Sequence, residues 1–118
     1  MGVMSTTIIR GENKLLDTTL LQADGTTALL LTDCSLIKYE LLHKGTVLKT
    51  WNKILTVYDT GMSAATTSKL RCELTKAISD TLPFGTIQRR ITIETTDATF
   101  TVDGVQRDTS TVDLLNVI

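Results

Sequence analysis

The sequence predicts an all-β fold, an antiparallel β-sandwich that is either immunoglobulin-like or a partly open barrel. About a fifth of the residues are threonine and only one is proline, a composition that suits pleated, half-exposed sheets better than helices. Roughly eight short runs alternate apolar and polar residues, with turn residues about every 8 to 12 positions. Strands and helices do not alternate in the way that a parallel sheet requires.

Length and charge narrow the class of protein. A chain of 118 residues with a formal net charge of −1 fits one domain that buries its own core. No block of basic residues offers a footprint for nucleic acid. The longest apolar run, TTALLLT, is far shorter than the ~20 residues of a membrane span, and the N-terminus lacks a secretory signal. We therefore expect a protein made in the cytoplasm, with no nucleic-acid or membrane partner.

Strand patterns separated by turns fill the first half of the chain. Asp24-Gly25 is the strongest hairpin signal in this half. Further on, Ile37, Tyr39 and Leu41 share one face of a strand pattern whose other face is charged. The predicted strands of this half comprise residues 5–10, 14–22, 36–43, 46–51 and 52–61.

A clean alternation and a single interruption mark the second half. Leu70, Cys72 and Leu74 point to one face of a predicted strand. Residues 75–81 then favour one helical turn that Thr75 can cap and that the chain's only proline ends. The predicted strands here comprise residues 69–74, 86–95 and 98–102, and residues 62–68 are predicted as a polar linker in which a helical turn can form.

The composition changes after Gly104. We therefore assign the sandwich to residues 1–104 and a C-terminal tail to residues 105–118. The tail is polar at first and apolar over residues 114–118, and ordering such a tip must be repaid by burial. It could close the sheet as a last strand, pack on a partner, or lead into a neighbouring segment of a longer protein.

Residues for catalysis or metal binding are scarce. His43 is the only histidine, which excludes a multi-histidine metal site. No glycine pattern of a phosphate-binding loop occurs. Cys72 lies on the inward face of a predicted strand, where a thiol is inert, and Cys34 and Cys72 are expected to be reduced rather than disulfide-bonded. The prediction is no enzyme, with no catalytic residue, metal or cofactor.

One charged residue falls on a face that is otherwise apolar. Arg89 lies in the alternation with Ile87, Ile91 and Ile93, where a buried, unpaired guanidinium would be costly. Its side chain could follow the rim of the core with its head in water, or a bulge could change the register. A third alternative is that Arg89 meets a carboxylate across a subunit contact, where arginine is enriched.

The order of turns and strands along the chain follows the pattern of a known family. It runs through residues 20–27 with their Asp-Gly turn, residues 28–38 (ALLLTDCSLIK), residues 74–87 (LTKAISDTLPFGTI) and the final hairpin ITIETTDATFTVDG. In this order the chain resembles the N-terminal β-sandwich domain of the phage upper baseplate protein family. The resemblance implies a non-enzymatic virion component that docks on a tail or baseplate ring and has no catalytic residue.

These observations lead to a functional expectation and an alternative. We expect a structural and assembly module of a phage tail, baseplate or prophage-derived particle, located in the virion and bound to other phage structural proteins and to copies of itself. The predicted interface residues are Trp51, Arg89, Leu114, Leu115, Val117 and Ile118. The alternative is a carbohydrate- or small-ligand-binding sandwich that uses Trp51, Tyr58 and Tyr39, although so few rings favour core or interface packing for Trp51 and Tyr58. A small hydrolase is a third reading and would need His43.

Overall fold

A computed structural model describes residues 6–22, 25–95 and 106–118 of the chain, and in these ranges the predicted all-β class is confirmed. The strands are β1 (Thr6–Ile8), β2 (Lys14–Thr19), β3 (Cys34–His43), β4 (Thr46–Ile54), β5 (Val57–Tyr58), β6 (Met62–Ala64), β7 (Lys69–Leu74), β8 (Gly85–Thr95) and β9 (Gln106–Val117). A 3-10 turn forms at Leu31–Asp33, and one helical turn, α1, forms at Lys76–Ser79. The predicted strand over residues 98–102 and the residue Asp24 lie outside the described residues.

The strands form two sheets around one core. The larger sheet has six strands in the order β1-β9-β8-β3-β4-β5, and the smaller has three in the order β2-β7-β6. Alternate side chains of both sheets are buried between them, as the period of two in the sequence predicts. The largest fully buried side chains are Trp51, Tyr39, Ile8, Leu29, Leu31, Ile37, Leu41, Leu70, Leu74, Leu82, Ile87 and Leu115.

One strand pair departs from the predicted antiparallel arrangement. β1 and β9 run parallel, with Thr6 opposite Leu115 and Ile8 opposite Val117. The amide of Ile118 donates to the carbonyl of Ile8 at 3.0 Å and continues the pair. Strands from the two ends of the chain therefore lie side by side, an arrangement that local turn signals do not encode.

Most of the segment assigned to the tail is a strand of the larger sheet. β9 lies between β8 and β1, and Leu115 and Val117 are buried in the core. Of the three alternatives for the apolar tip, closing the sheet as a last strand is the one observed.

The corner between β7 and β8 follows the sequence pattern. The hydroxyl of Thr75 accepts a hydrogen bond from the amide of Ile78 at 3.4 Å, so Thr75 caps α1 as expected. Leu82 after the turn is fully buried. Gly85 then adopts a φ of +103°, which glycine tolerates and which lets β8 begin.

The region between β4 and β7 differs from the sequence prediction. β4 extends through Ile54, and the chain turns at residues 55–56 instead of continuing as a strand. Part of the predicted linker at residues 62–68 is strand β6, in which Met62 is buried. The small residues that favour a helical turn in isolation pair instead with β7, because tertiary packing overrides weak local preference.

Candidate interaction surfaces and the inter-sheet cavity

The turn between β4 and β5 presents three large apolar side chains to solvent, each between 59% and 68% exposed. We call Ile54, Leu55 and Val57 the hairpin tip. Leu55 has a φ of +56°, in the left-handed region that costs a residue with a side chain about 1–2 kcal/mol. The amide of Leu55 donates to the carbonyl of Ser35 at 2.7 Å, which fixes the turn against the start of β3. The tip therefore keeps an apolar side chain at a strained, exposed position.

A polar network holds the base of the hairpin tip. The buried Lys53 donates through Nζ to the carbonyls of Leu31 and Cys34, and burial lowers the pKa of its ammonium group. The Asp59 carboxylate accepts from the amide of Asn52 at 2.8 Å. The Lys53 bonds join the β4–β5 hairpin to the 3-10 turn and to the start of β3. The Asn52–Asp59 bond closes the hairpin itself, so the residues next to the hairpin tip are held in place.

A second apolar surface lies where β1, β8 and β9 meet. Ile9, Phe84 and Ile118 are each 59–64% exposed, and we call them the end patch. Ile118 lies beside Ile9, because its amide donates to the carbonyl of Ile8 and its carbonyl accepts from the amide of Arg10. Phe84 directly precedes Gly85, which pairs with Val117 on the other side. The guanidinium of Arg10 lies 4.7 Å from the centre of the Phe84 ring, a cation–π contact that orders the patch.

The hairpin tip and the end patch lie at opposite ends of the larger sheet. Leu36 pairs with both Ile54 and Glu94, so the tip lies near the end of β8. The end patch lies beside Gly85, where β8 begins. At about 3.3 Å per residue, the 11 residues of β8 separate the two surfaces by about 30–35 Å.

Three of the predicted interface residues are part of the chain's own core. Trp51, Leu115 and Val117 are at most 2% exposed. Trp51 packs edge-on against Tyr39, with ring centres 5.7 Å apart. Folding alone accounts for their apolar character, and no partner can reach them in the folded domain. The prediction for these three is corrected accordingly, whereas Leu114 is half-buried against the core and Ile118 belongs to the end patch.

Arg89 occupies the inner face of β8, as the alternation predicts. The bulge in this region does not shift β8, because the extra residue is Leu114 on β9. Arg89 is half-buried, and its Nη1 donates to the hydroxyl of Thr18 on β2 at 3.0 Å. The side chain therefore bridges the two sheets.

A cavity of about 220 Å³ opens between the two sheets beside Arg89. The residues that line it are Thr18, Thr19, Leu20, Leu21, Arg89, Ile91, Ile93 and Ser110. Its walls therefore combine one cation and several hydroxyl groups with aliphatic side chains. We refer to it as the inter-sheet cavity.

The rings required for a carbohydrate platform are not available. Tyr39 and Trp51 are fully buried, and Tyr58 packs partly against the core. Stacking on a sugar requires an open ring face, and neither buried ring offers one. A platform built from these three residues is therefore inconsistent with the fold.

The candidate groups for nucleophilic catalysis do not meet. Nδ1 of His43 lies 3.2 Å from the carbonyl oxygen of Thr86 at the surface. Cys72 is buried in the core, and burial raises the pKa of its thiol to about 12, which keeps it protonated and inert. Cys34 is likewise a reduced, buried thiol, as the sequence predicts.

Within residues 6–22, 25–95 and 106–118, no group of three or more His, Cys, Asp or Glu side chains is placed to hold a metal ion. No helix in that part of the chain has the length and hydropathy of a membrane span.

Of the residues that form the two apolar surfaces, the sequence pattern predicts only Ile118 of the end patch. The alternation predicts one continuous strand over residues 52–61, whereas the structure turns at residues 55–56 between Ile54 and Val57. A turn without glycine, proline or asparagine has no local signal, and the left-handed Leu55 supplies the conformation instead. Together the fold and these surfaces define a small β-sandwich with exposed apolar side chains at each end of the larger sheet. Comparisons with protein-family models, curated proteins and solved structures gave no match.

Proposed function

We propose that this chain is a non-enzymatic assembly module of a phage tail, baseplate or prophage-derived particle. It acts in the virion, after synthesis in the host cytoplasm, through contacts with other phage structural proteins and with copies of itself. The order of turns and strands along residues 20–38 and 74–87 supports the phage assignment. The surface of the domain supports the assembly role.

The observation that carries the assembly role is the pair of apolar surfaces at opposite ends of the larger sheet. Scattered exposed apolar residues are ordinary, but clusters of large ones mark contact sites. The strained Leu55 adds to this, because a left-handed residue with an apolar side chain is retained at a cost. Contact with another protein would bury both clusters.

The two surfaces differ, so the self-contact is heterologous. The hairpin tip of one copy meets the end patch of the next, so a chain of subunits keeps one unused hairpin tip at one end and one unused end patch at the other. Such contacts close into a ring when the rotation allows and otherwise extend as a fibre. Rings and stacked rings are the architecture expected of a tail or baseplate component.

The test is the solution mass by light scattering over a concentration series from micromolar to millimolar. We expect the wild-type chain to form oligomers and Leu55→Asn to remain monomeric. Asparagine tolerates the left-handed conformation, so the variant removes the apolar side chain without straining the turn. Leu15→Thr is the matched control, because it removes an exposed leucine from the outer face of the smaller sheet.

A mixing experiment tests the heterologous geometry. Phe84→Ser disrupts the end patch and leaves the tip intact, so it should also be monomeric alone. When mixed with Leu55→Asn, it should form a dimer and nothing larger, because one intact surface of each kind remains. Wild-type protein that stays monomeric throughout and binds no virion protein would overturn the proposal. Oligomers that survive both substitutions would overturn the assigned surfaces.

A further inference from the structure

The inter-sheet cavity contains a half-buried cation, Arg89, for which the described residues provide no counterion. Arg89 lies in the cavity wall, and among the described residues the only hydrogen-bond partner of its side chain is the hydroxyl of Thr18. Arg71 and Arg90, by contrast, each form two hydrogen bonds with one carboxylate. Within residues 6–22, 25–95 and 110–118, those two arginines are therefore paired with carboxylates, whereas the positive charge of Arg89 faces the cavity without one.

Behind the cavity wall lie two buried polar groups for which the described residues provide no hydrogen-bond partner. The hydroxyl of Tyr39 and Nε of Arg89 are buried without a hydrogen-bond partner in the described part of the chain. Arg89 and Thr18 are near the Tyr39 hydroxyl, but neither is in hydrogen-bonding geometry with it. Both of these groups can donate a hydrogen bond, so what the described residues lack near Arg89 is hydrogen-bond acceptors. Because these atoms are covered, a ligand would meet the part of Arg89 that lines the cavity.

The remaining walls determine what else the ligand must carry. Leu20, Ile91 and Ile93 give the cavity an aliphatic side, and Ser110 lies at its exposed edge. At about 30 Å³ for each water-sized group, a volume of about 220 Å³ holds about seven such groups. This corresponds to a carboxylate on a chain of about four carbons.

We propose that the inter-sheet cavity binds a small carboxylate with a short apolar chain. The carboxylate pairs with the guanidinium of Arg89, and the chain lies against Ile91 and Ile93. A guanidinium is suited to this role, because its planar fork matches a carboxylate with two parallel hydrogen bonds. The inference is independent of the proposed assembly function, since the cavity includes no residue of the hairpin tip or the end patch.

The probe is pentanoate, titrated into the full chain by calorimetry, with 1-pentanol as the uncharged compound of equal chain length. We expect saturable binding of one pentanoate per chain. Pentanol should bind at least about tenfold more weakly, because a hydrogen bond between two charged groups is about twice as strong as a neutral one. Equal binding of the two probes, or no binding of pentanoate, would overturn the proposal.

Three variants locate the site. Arg89→Gln should weaken pentanoate binding at least about tenfold. Lys38→Gln, the matched control, removes one positive charge from the outer face of the same sheet and should bind pentanoate as the wild type does. Ser110→Phe fills the edge of the cavity while keeping Arg89, so it should also abolish binding. It tests the site even if Arg89→Gln does not fold.

Two outcomes would count against the inference. Unchanged pentanoate binding in Ser110→Phe would place the ligand elsewhere. Light scattering provides the second check, because Arg89→Gln should leave the oligomeric state unchanged. If Arg89→Gln dissociates the oligomer, the carboxylate belongs to a second copy of the chain, and the small-ligand proposal is wrong.

Discussion

Glu40 and Arg90 show how single residues stabilise the outer face of the larger sheet. Nε and Nη2 of Arg90 lie 2.9 and 3.0 Å from the two carboxylate oxygens of Glu40. Glu40 is buried, whereas the side chain of Arg90 is 36% exposed. The hydrogen bonds that Arg90 donates lower the pKa of Glu40, although burial of the carboxylate tends to raise it.

The sign of this shift fixes its effect on stability. A carboxylate with a folded-state pKa below its unfolded value contributes stability above the unfolded pKa, here 4.5. That contribution is lost as the pH falls through the folded-state pKa. Part of the acid sensitivity of the domain should therefore depend on this pair.

The Arg90→Met variant tests the pair. At neutral pH we expect its melting temperature to fall by a few degrees, because a buried carboxylate loses its donors. At a pH of about 4 the deficit should shrink, since Glu40 in the variant accepts a proton and no longer carries an unpaired charge. Thermal unfolding followed by circular dichroism at both pH values measures this, and a deficit that does not depend on pH would contradict it.

Arg71→Met is the natural comparison. Arg71 forms the same two-bond pair with Asp17, but both side chains are about one-third exposed. Exposed pairs contribute little because water screens them. The loss of melting temperature in Arg71→Met should therefore be smaller than in Arg90→Met at neutral pH.

At the scale of elements, β9 is the strand on which the larger sheet depends. It joins β1 to β8 and buries Leu115 and Val117 in the core. Fully burying an aliphatic side chain contributes about 1.5–3 kcal/mol, and a whole domain has only about 5–15 kcal/mol of stability. Loss of the strand should therefore unfold the domain.

Truncation tests this directly. A chain that ends at Gly104 should show no cooperative thermal transition by circular dichroism. A chain that ends at Val117 keeps all of β9 and should still unfold cooperatively. A folded domain in the shorter chain would contradict the role given to β9.

The elements that could be predicted from sequence are those with a strict period of two. Leu70, Cys72 and Leu74 are all buried, and the face of β3 formed by Ile37, Tyr39 and Leu41 is buried as predicted. The corner at α1 was predictable because capping and proline act locally. In each case the signal lies within a few residues of the structure that it specifies.

The elements that escaped prediction depend on distant residues. β6 is a strand because β7 offers it a partner, and β1 pairs with a strand from the other end of the chain. For the candidate sites, Arg89 was predictable from the alternation, whereas the partner that holds it, Thr18, was not. The sequence does not predict the hairpin tip, because residues 54–57 include no glycine, proline, asparagine or aspartate that would indicate a turn.

At the scale of the whole molecule, the low net charge determines what kind of contact the domain can make. A formal charge of −1 gives little repulsion between copies. The hairpin tip and the end patch are formed by apolar side chains, with Arg10 and Lys44 lying beside Phe84 of the patch. The contact between copies should therefore be driven by burial of apolar surface.

Salt dependence tests this account of the contact. Because salt screens charges and does not weaken apolar burial, oligomers should persist in molar sodium chloride. Light scattering at low and molar salt, at one protein concentration, measures the effect. Dissociation into monomers at high salt would show that ion pairs hold the copies together.

The parallel pairing of β1 with β9 also determines how the domain responds to force. Because the two strands run in the same direction, tension applied to β1 from its start and to β9 from its end slides one strand along the other. The hydrogen bonds between them then share the load instead of opening one at a time. A domain pulled through these two strands in this way resists mechanical extension.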